Sequence, residues 1–437
     1  MRISMLALAL VPLIYGNQAL AQSQQELSIE ERIAILEREL QALKAENEAL
    51  KARTSEQEIE RKRQAEQTSE RLAEVEEEVD AASEDGITLG GAVRFQYQVN
   101  DYDRAQRRRG GDLDFDIFRL DFNGRMGDVI LSAQYRWFEY MDAVRHAYFG
   151  YDFTDEWQGQ VGLVIQPFGI MPYNSHSYFF STNFYVGMED NPGSGLRFLK
   201  RTDTWDLDFA FILNDELGGV TGGVRSSADR YNYDVVGIRV EGEGVYDDPS
   251  LLAGENNTFM TRIAHKWDLG ADEMLELGIS AQYGRFNDGV RNVGDRRNYG
   301  LHARYQNGPW DFMAQYSGYD YSFDIDNIGV VVGAYAFYDT IPSRADVWTA
   351  NVAYNQAVSI GPITDLTWYN NFSLLTNKRG YNDDTIMNVL GVAVTAGGVF
   401  TYVDLVTARN QPFVGGSIAQ DGGRTNTRFN INFGYYF

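Results

Sequence analysis

The sequence predicts an all-β fold, a transmembrane antiparallel β-barrel, preceded by an α-helical coiled coil. Three observations carry that prediction. The 437 residues include 27 Tyr, 25 Phe and 43 Gly but only 9 Pro, a composition that suits a large sheet better than a helical enzyme. From residue 87 onward, apolar and polar side chains alternate in repeated runs, and segments of about ten residues with two unlike faces mark strands that span a membrane. Within those runs the arginines fall on the polar phase.

Residues 1–21 read as a secretory signal. Arg2 supplies the positive start, Met5 to Tyr15 a short apolar stretch, and Ala19-Leu20-Ala21 the small-x-small site for cleavage after Ala21. The apolar stretch is too short to anchor the chain in a membrane. A cleaved signal places the protein in the envelope of a Gram-negative cell, or outside it.

Residues 22–85 contain no aromatic residue, no Gly and no Pro. Ile29, Ile33, Leu36, Leu40, Leu43, Asn47 and Leu50 step alternately by four and three, the seam of a heptad repeat. The seam turns polar at Thr54, Gln57, Arg61 and Gln64, then returns at Leu72, Val75 and Val79. So narrow an apolar stripe needs a partner helix, which makes the segment a periplasmic coiled coil. As one helix, 29–79 would be roughly 75 Å long. A solvated charged linker is the alternative.

Residues 86–437 hold the strands. In 87–99, Ile87, Leu89, Gly91, Val93, Phe95, Tyr97 and Val99 alternate with polar or small residues over thirteen positions, longer than an ordinary strand. The same alternation returns at 129–137, 274–283, 298–306 and the C-terminus. Thr385 to Val403 lacks charge and is long enough for a transmembrane helix. Its Gly391, Gly397, Gly398 and β-branched residues fit strand, tight turn, strand instead. Spanning barrels alternate short turns with long loops, and connection lengths in this chain do so with one break, at 139–143. That spacing predicts sixteen strands; eighteen is the alternative if 230–241 and 329–338 also span.

Charge tests the assignment of faces. Arg94, Arg119, Arg136, Arg304 and Arg428 share the polar phase. Facing lipid near the midplane, each would cost ~2–4 kcal/mol, together most of a typical ~5–15 kcal/mol stability. They must face a lumen, and a sixteen-stranded circumference is too wide for side chains to fill.

Composition excludes several functions. The net charge of −24 argues against a nucleic-acid partner. With no Cys there is neither a disulfide framework nor a thiol nucleophile. His146, His176, His265 and His302 show no metal-binding spacing, and the chain has no G-x-S-x-G elbow and no phosphate-binding Gly loop. No catalytic residue, metal or cofactor is expected; a structural barrel or adhesin, or an outer-membrane hydrolase, stands as a minor alternative.

Two stretches carry a family resemblance: Asp116-Ile117-Phe118-Arg119-Leu120-Asp121-Phe122-Asn123-Gly124, and Gly162-Leu163-Val164-Ile165-Gln166-Pro167-Phe168-Gly169. With Thr401-Tyr402-Val403-Asp404 and the terminal Phe437, the chain resembles the phosphate-selective porin O/P group of outer-membrane channels. The resemblance implies a sixteen-stranded homotrimer whose third loop folds inward to narrow the channel. The N-terminal coiled coil resembles that of the sucrose porin, and Phe437 resembles the sorting signal read by the barrel assembly machinery.

A porin of this kind would lie in the outer membrane, among lipid and lipopolysaccharide, with its coiled coil in the periplasm. By alternation Arg94, Arg119, Arg136, Arg197, Arg201, Arg262, Lys266, Arg304 and Arg428 face the pore. Such a lining favours small anions such as phosphate. Asp114, Asp116, Asp121, Asp206, Asp208, Glu276 and Asp311 share that face, so the cations could instead pair with these carboxylates. Residues 86–437 carry 28 cations, 25 of them Arg, against 43 acids, a net −15. Loop 170–190 is the expected constriction, with Tyr173, His176, Tyr178, Phe179, Phe180, Phe184 and Tyr185. Its rings could guide sugars, making an oligosaccharide porin the alternative, or could pack the loop on the wall. Arg107-Arg108-Arg109 in the first outer loop could draw anions inward or bridge lipopolysaccharide phosphates.

Overall fold

A computed structural model describes residues 86–218, 228–270 and 272–437. The signal and coiled coil read from residues 1–85 lie outside the described residues. The first seven strands are β1 (Gly86–Asn100), β2 (Asp112–Met126), β3 (Val129–Phe138), β4 (Asp142–Asp152), β5 (Trp157–Ile165), β6 (Pro192–Arg201) and β7 (Trp205–Asn214). After two short strands, β8 (Asp234–Arg239) and β9 (Leu251–Leu252), come β10 (Gly254–Gly270), β11 (Glu273–Asn287), β12 (Asn292–Asn307) and β13 (Trp310–Phe323). Two more short strands, β14 (Gly329–Ala334) and β15 (Phe337–Ile341), precede β16 (Arg344–Ile360). The chain ends with β17 (Ile363–Thr376), β18 (Thr385–Ala396), β19 (Val399–Arg409) and β20 (Asn426–Tyr436).

Sixteen of these strands close an antiparallel barrel, sealed where β20 pairs with β1 from Ala92↔Tyr436 to Asn100↔Arg428. The expected segments 230–241 and 329–338 do not span. They contribute to a separate sheet in the order β15-β14-β8-β9, in which every residue of β8 and β14 is buried. One connection differs from expectation. The link between β11 and β12 is only 288–291, so a second long-loop position is short. The polar run from Arg285 to Arg297 shows no alternation, yet it pairs in register with Arg285 opposite Asp295. The Asp288 carboxylate closes the turn by accepting the N–H groups of Val290 and Arg291, both at 2.8 Å.

The outer face follows the apolar phase. Phe259, Leu277, Ile279, Leu301, Leu390 and Leu405 are exposed on it, an area of apolar surface that belongs against hydrocarbon rather than water. Trp157, Trp205 and Trp310 begin their strands at the short-turn end, and Trp267 nears the end of its own there. Together they form part of an aromatic girdle. At the opposite end the loop between β1 and β2 holds α1 (Arg104–Arg109), capped by Asp103 and stopped by Gly110 at φ 87°. The three-arginine cluster forms its last turn.

The largest apolar core lies inside the barrel. Phe179, Phe184 and Tyr185 from the loop after β5 pack with Tyr233, Val330 and Val414 from other long loops. These loops therefore occupy part of the lumen, and a cavity remains against the wall that includes β1, β2, β3 and β20.

The inner sheet is tied to the last long loop through Asp339, which accepts from the Ser417 hydroxyl at 2.5 Å and the Thr340 N–H at 2.7 Å. Burial pushes this carboxyl up to about 7, against those hydrogen bonds and nearby Arg239. Released from the contact it would titrate near ~3.9. Between these values the docked state holds a proton that the undocked state has lost, so docking is strongest at acid pH and weakens as pH rises toward 7. Amide protection at Thr340 and Ala419, measured against the base-catalysed intrinsic exchange rate, should fall over that window in the wild type and stay level in Asp339→Asn. An identical pH profile in the variant would refute this.

Candidate pore and constriction

Each inward side chain is placed by strand alternation, and two by bulges. The β1–β2 register slips between Arg94 and Phe95, leaving Asp116 unpaired. The β3–β4 register slips between Gln134 and Tyr135, leaving Arg145 unpaired. A bulge re-aims the extra residue. Asp116 thereby meets Arg94 at 2.8 Å and accepts from Tyr178 at 3.0 Å, while Arg145 forms an ion pair with Asp190. Strict alternation misses Arg145, and no local sequence signal marks the bulge.

The connection 166–191 between β5 and β6 folds into the barrel and fastens to the far wall. The Gly169 and Ile170 N–H groups donate to Ser280 Oγ (3.0 Å) and Gln315 Oε1 (2.9 Å). Asn351 Nδ2 donates to the Asn174 carbonyl at 2.8 Å, and the Thr182 N–H donates to Ser373 Oγ at 3.2 Å. His176 sits in the same seam, with Nε2 3.2 Å from Asp311 and its N–H donating to Asn371 Oδ1. The loop is held internally by buried Glu189, which accepts the Asn174 N–H at 2.9 Å, the Ser181 N–H at 3.2 Å and the Ser181 hydroxyl at 2.5 Å.

With its polar edge on β11, β13, β16 and β17, the loop turns aromatic rings toward the other wall. A cavity of ≈ 810 Å³ remains there. Tyr173, Tyr178, Phe179, Phe180, Phe184 and Tyr185 all border it. Phe179, Phe184 and Tyr185 are also buried in the core cluster, with Phe180 stacked on Phe184 at 4.2 Å. The ring cluster both packs the loop and faces the open space. Sequence reasoning missed Tyr335 and Phe413, lining rings that come from other long loops. Their order along the chain carries no sign of this convergence.

Of the nine cations placed inside by alternation, Arg94, Arg119, Arg136 and Arg428 border the cavity. Arg119 and Arg136 are direct cross-strand partners, a like-charge juxtaposition that is unfavourable unless compensated. Asp121 accepts from Arg119 at 2.9 Å and from Gln134 at 2.5 Å, and Gln134 in turn accepts from Arg136 at 2.7 Å. Arg136 also lies over the Tyr231 ring, 4.6 Å from its centroid, and Arg428 over Phe179 at 5.1 Å. Among the described residues neither Arg136 nor Arg428 has a carboxylate within ion-pair distance.

The other five cations do not border this cavity. Arg197 and Arg201 share Asp208 at 2.6 and 2.8 Å, and Lys266 holds Asp206 at 2.9 Å. Arg262 pairs with Glu276 at 2.6 Å and Arg304 with Asp311 at 2.7 Å. On that wall the charges neutralise one another beside the inserted loop. Ser132 and His146 approach to 2.8 Å, but the Ser132 hydroxyl donates to Asn123 Oδ1 at 2.7 Å. With its proton committed there, this serine is not an activated nucleophile.

No family model and no curated protein matches the sequence. By fold, the chain is similar to the anion-selective porin of Comamonas acidovorans, at TM-score 0.51 and 12% identity over 81% of this chain and 100% of that one. It is also similar to the outer-membrane protein OmpT of Vibrio cholerae in trimer form, at 0.50 and 12% over 81% and 99%. The outer-membrane channel DcaP of Acinetobacter baumannii matches at 0.50 and 12%, over 81% and 97%. At this identity the likeness is one of fold.

Glu189→Ala would orphan three buried donors at about 1–3 kcal/mol each. It should loosen the inserted loop and give larger, noisier single-channel currents. Unchanged conductance and noise would mean that the contacts to the far wall suffice.

Proposed function

We propose that the chain is an outer-membrane porin, a channel for passive diffusion of small hydrophilic solutes with a preference for anions. The observation that carries the preference is the sign of the cavity wall. Four arginines border it against three acids, Asp114, Asp116 and Glu139, in a segment whose overall charge is −15. Arginine keeps its charge at any working pH and pairs well with oxyanions. The name of the anion-selective porin with a similar fold agrees with this reading. No lysine borders the cavity, so a continuous basic ladder for phosphate lacks support and a general anion preference is the better reading. An oligosaccharide porin is the second reading, supported by the rings of the inserted loop.

The domain plan completes the proposal: a signal over 1–21, a periplasmic coiled coil over 22–85, and the barrel over 86–437. Membrane lipid would meet the exposed apolar belt, and lipopolysaccharide the long-loop end. A homotrimer is the proposed assembly, in keeping with the coiled-coil seam and with the trimer form of the similar OmpT structure. No enzymatic role is proposed.

Two measurements test these points. One guanidinium ~4 Å from a passing ion in water is worth on the order of 1 kcal/mol. Arg136→Gln should therefore lower the chloride-to-potassium permeability ratio about fivefold in reversal-potential measurements; an unmoved potential would assign Arg136 a structural role. Cross-linking after gentle detergent extraction should give a band of three chains, and monomers alone would refute the trimer.

A further inference from the structure

We infer that the cavity selects small aromatic carboxylates, planar rings bearing one carboxylate, from among the anions the channel admits. This rests on the anion preference proposed above and narrows it to a chemical class. Half of the residues lining the cavity, 14 of 28, are aromatic, against 14% of the whole chain. A hydrated inorganic anion gains nothing from such a wall, because ring faces offer no hydrogen-bond donors to replace its water. A flat ring gains both apolar burial and offset or edge-on contact.

The two kinds of group are in contact. The inserted loop presents Tyr173, Tyr178 and Phe180, all partly exposed and so with surface open to the cavity. Against the rings of this loop Arg94 and Arg428 project from β1 and β20. Arg428 is only 7% exposed, and its contacts include the Phe413 carbonyl at 3.1 Å, Asn430 Oδ1 at 3.1 Å, the Tyr102 side chain and the Phe179 ring. Its Nε, like that of Arg94, is buried without a hydrogen-bond acceptor. A buried guanidinium without a counter-charge is costly, and a solute carboxylate in the cavity is the group that would supply one to Arg428. Arg94 also stands over the Tyr178 ring, 5.5 Å from its centroid. Cation and ring face are thus held side by side, matching a carboxylate attached directly to a ring. The volume of ≈ 810 Å³ lies within the range of small-ligand sites. Arg94 already has Asp116 at 2.8 Å, but a neutral sugar stacked on the rings would leave the Arg428 guanidinium without a counter-charge.

The full-length protein in planar bilayers, with potassium chloride on both sides, provides the test. Benzoate, cyclohexanecarboxylate, acetate, phosphate and maltose would be added in turn and the interruption of current recorded. Cyclohexanecarboxylate matches benzoate in charge and size but is puckered, so it isolates the flat ring. Benzoate should interrupt the current at a concentration about tenfold below that of any other solute, the scale of one or two ring contacts. In Phe180→Leu and Tyr178→Leu, whose currents themselves report insertion, the benzoate advantage should shrink to that of cyclohexanecarboxylate. Equal potency of benzoate, cyclohexanecarboxylate and phosphate in an anion-preferring wild-type channel would overturn the inference while leaving the proposed function intact. Strongest block by maltose would overturn both. A cation-preferring channel still blocked selectively by benzoate would overturn the anion preference and leave ring recognition standing.

Discussion

A strand in hydrocarbon cannot leave its backbone N–H and C=O groups unpaired, and that constraint organises everything else in this chain. A sheet with a free edge fails it and a closed sheet satisfies it. Closure brings β20 to β1 across more than three hundred residues of sequence. Closure also gives every wall residue one of two addresses, and the period of two assigns them. The arginines then have only one place to go. Their inward position follows from the cost of the outward one, before any role in transport is considered.

Once inside, the charges follow two regimes. Along β6, β7, β10, β11, β12 and β13, each of Arg197, Arg201, Arg262, Lys266 and Arg304 meets a carboxylate on an adjacent strand, and the wall is electrically quiet. Along β1, β2, β3 and β20 the compensation is incomplete. Arg119 and Arg136 face each other across a strand pair, moderated by one aspartate and one glutamine. The inserted loop separates these regimes, with polar backbone and amides against the quiet wall and rings toward the charged one. Buried Glu189 lets a loop of this length keep one shape, because it gathers donors from two distant points of the loop.

Much of this was legible in the sequence. The strand count and the inward phase of the cations follow from alternation, which lipid enforces, and from loop parity, which is broken at only two connections. The pairing of Arg304 with Asp311 or Arg262 with Glu276 was open as an alternative, since both members sit on the inward phase of neighbouring strands. What could not be read is what lipid does not enforce. The β11–β12 hairpin extends through a polar run whose alternation carries no apolar signal. The bulges at Asp116 and Arg145 change phase by one residue, and no residue type announces them. The sheet formed by β8, β9, β14 and β15 joins two loops far apart in sequence, and its convergence on Tyr335 and Phe413 depends on tertiary packing alone.

Among the described residues the cations without a carboxylate partner, Arg136 and Arg428, stand on β3 and β20, while the wall beyond the inserted loop is charge-paired. In the proposed channel that asymmetry sets up a lateral electric field, directed across the line of travel rather than along it. A solute with a dipole would be turned to one attitude on entering and held there in transit. Sorting would then depend on the shape a solute presents side-on as much as on its width.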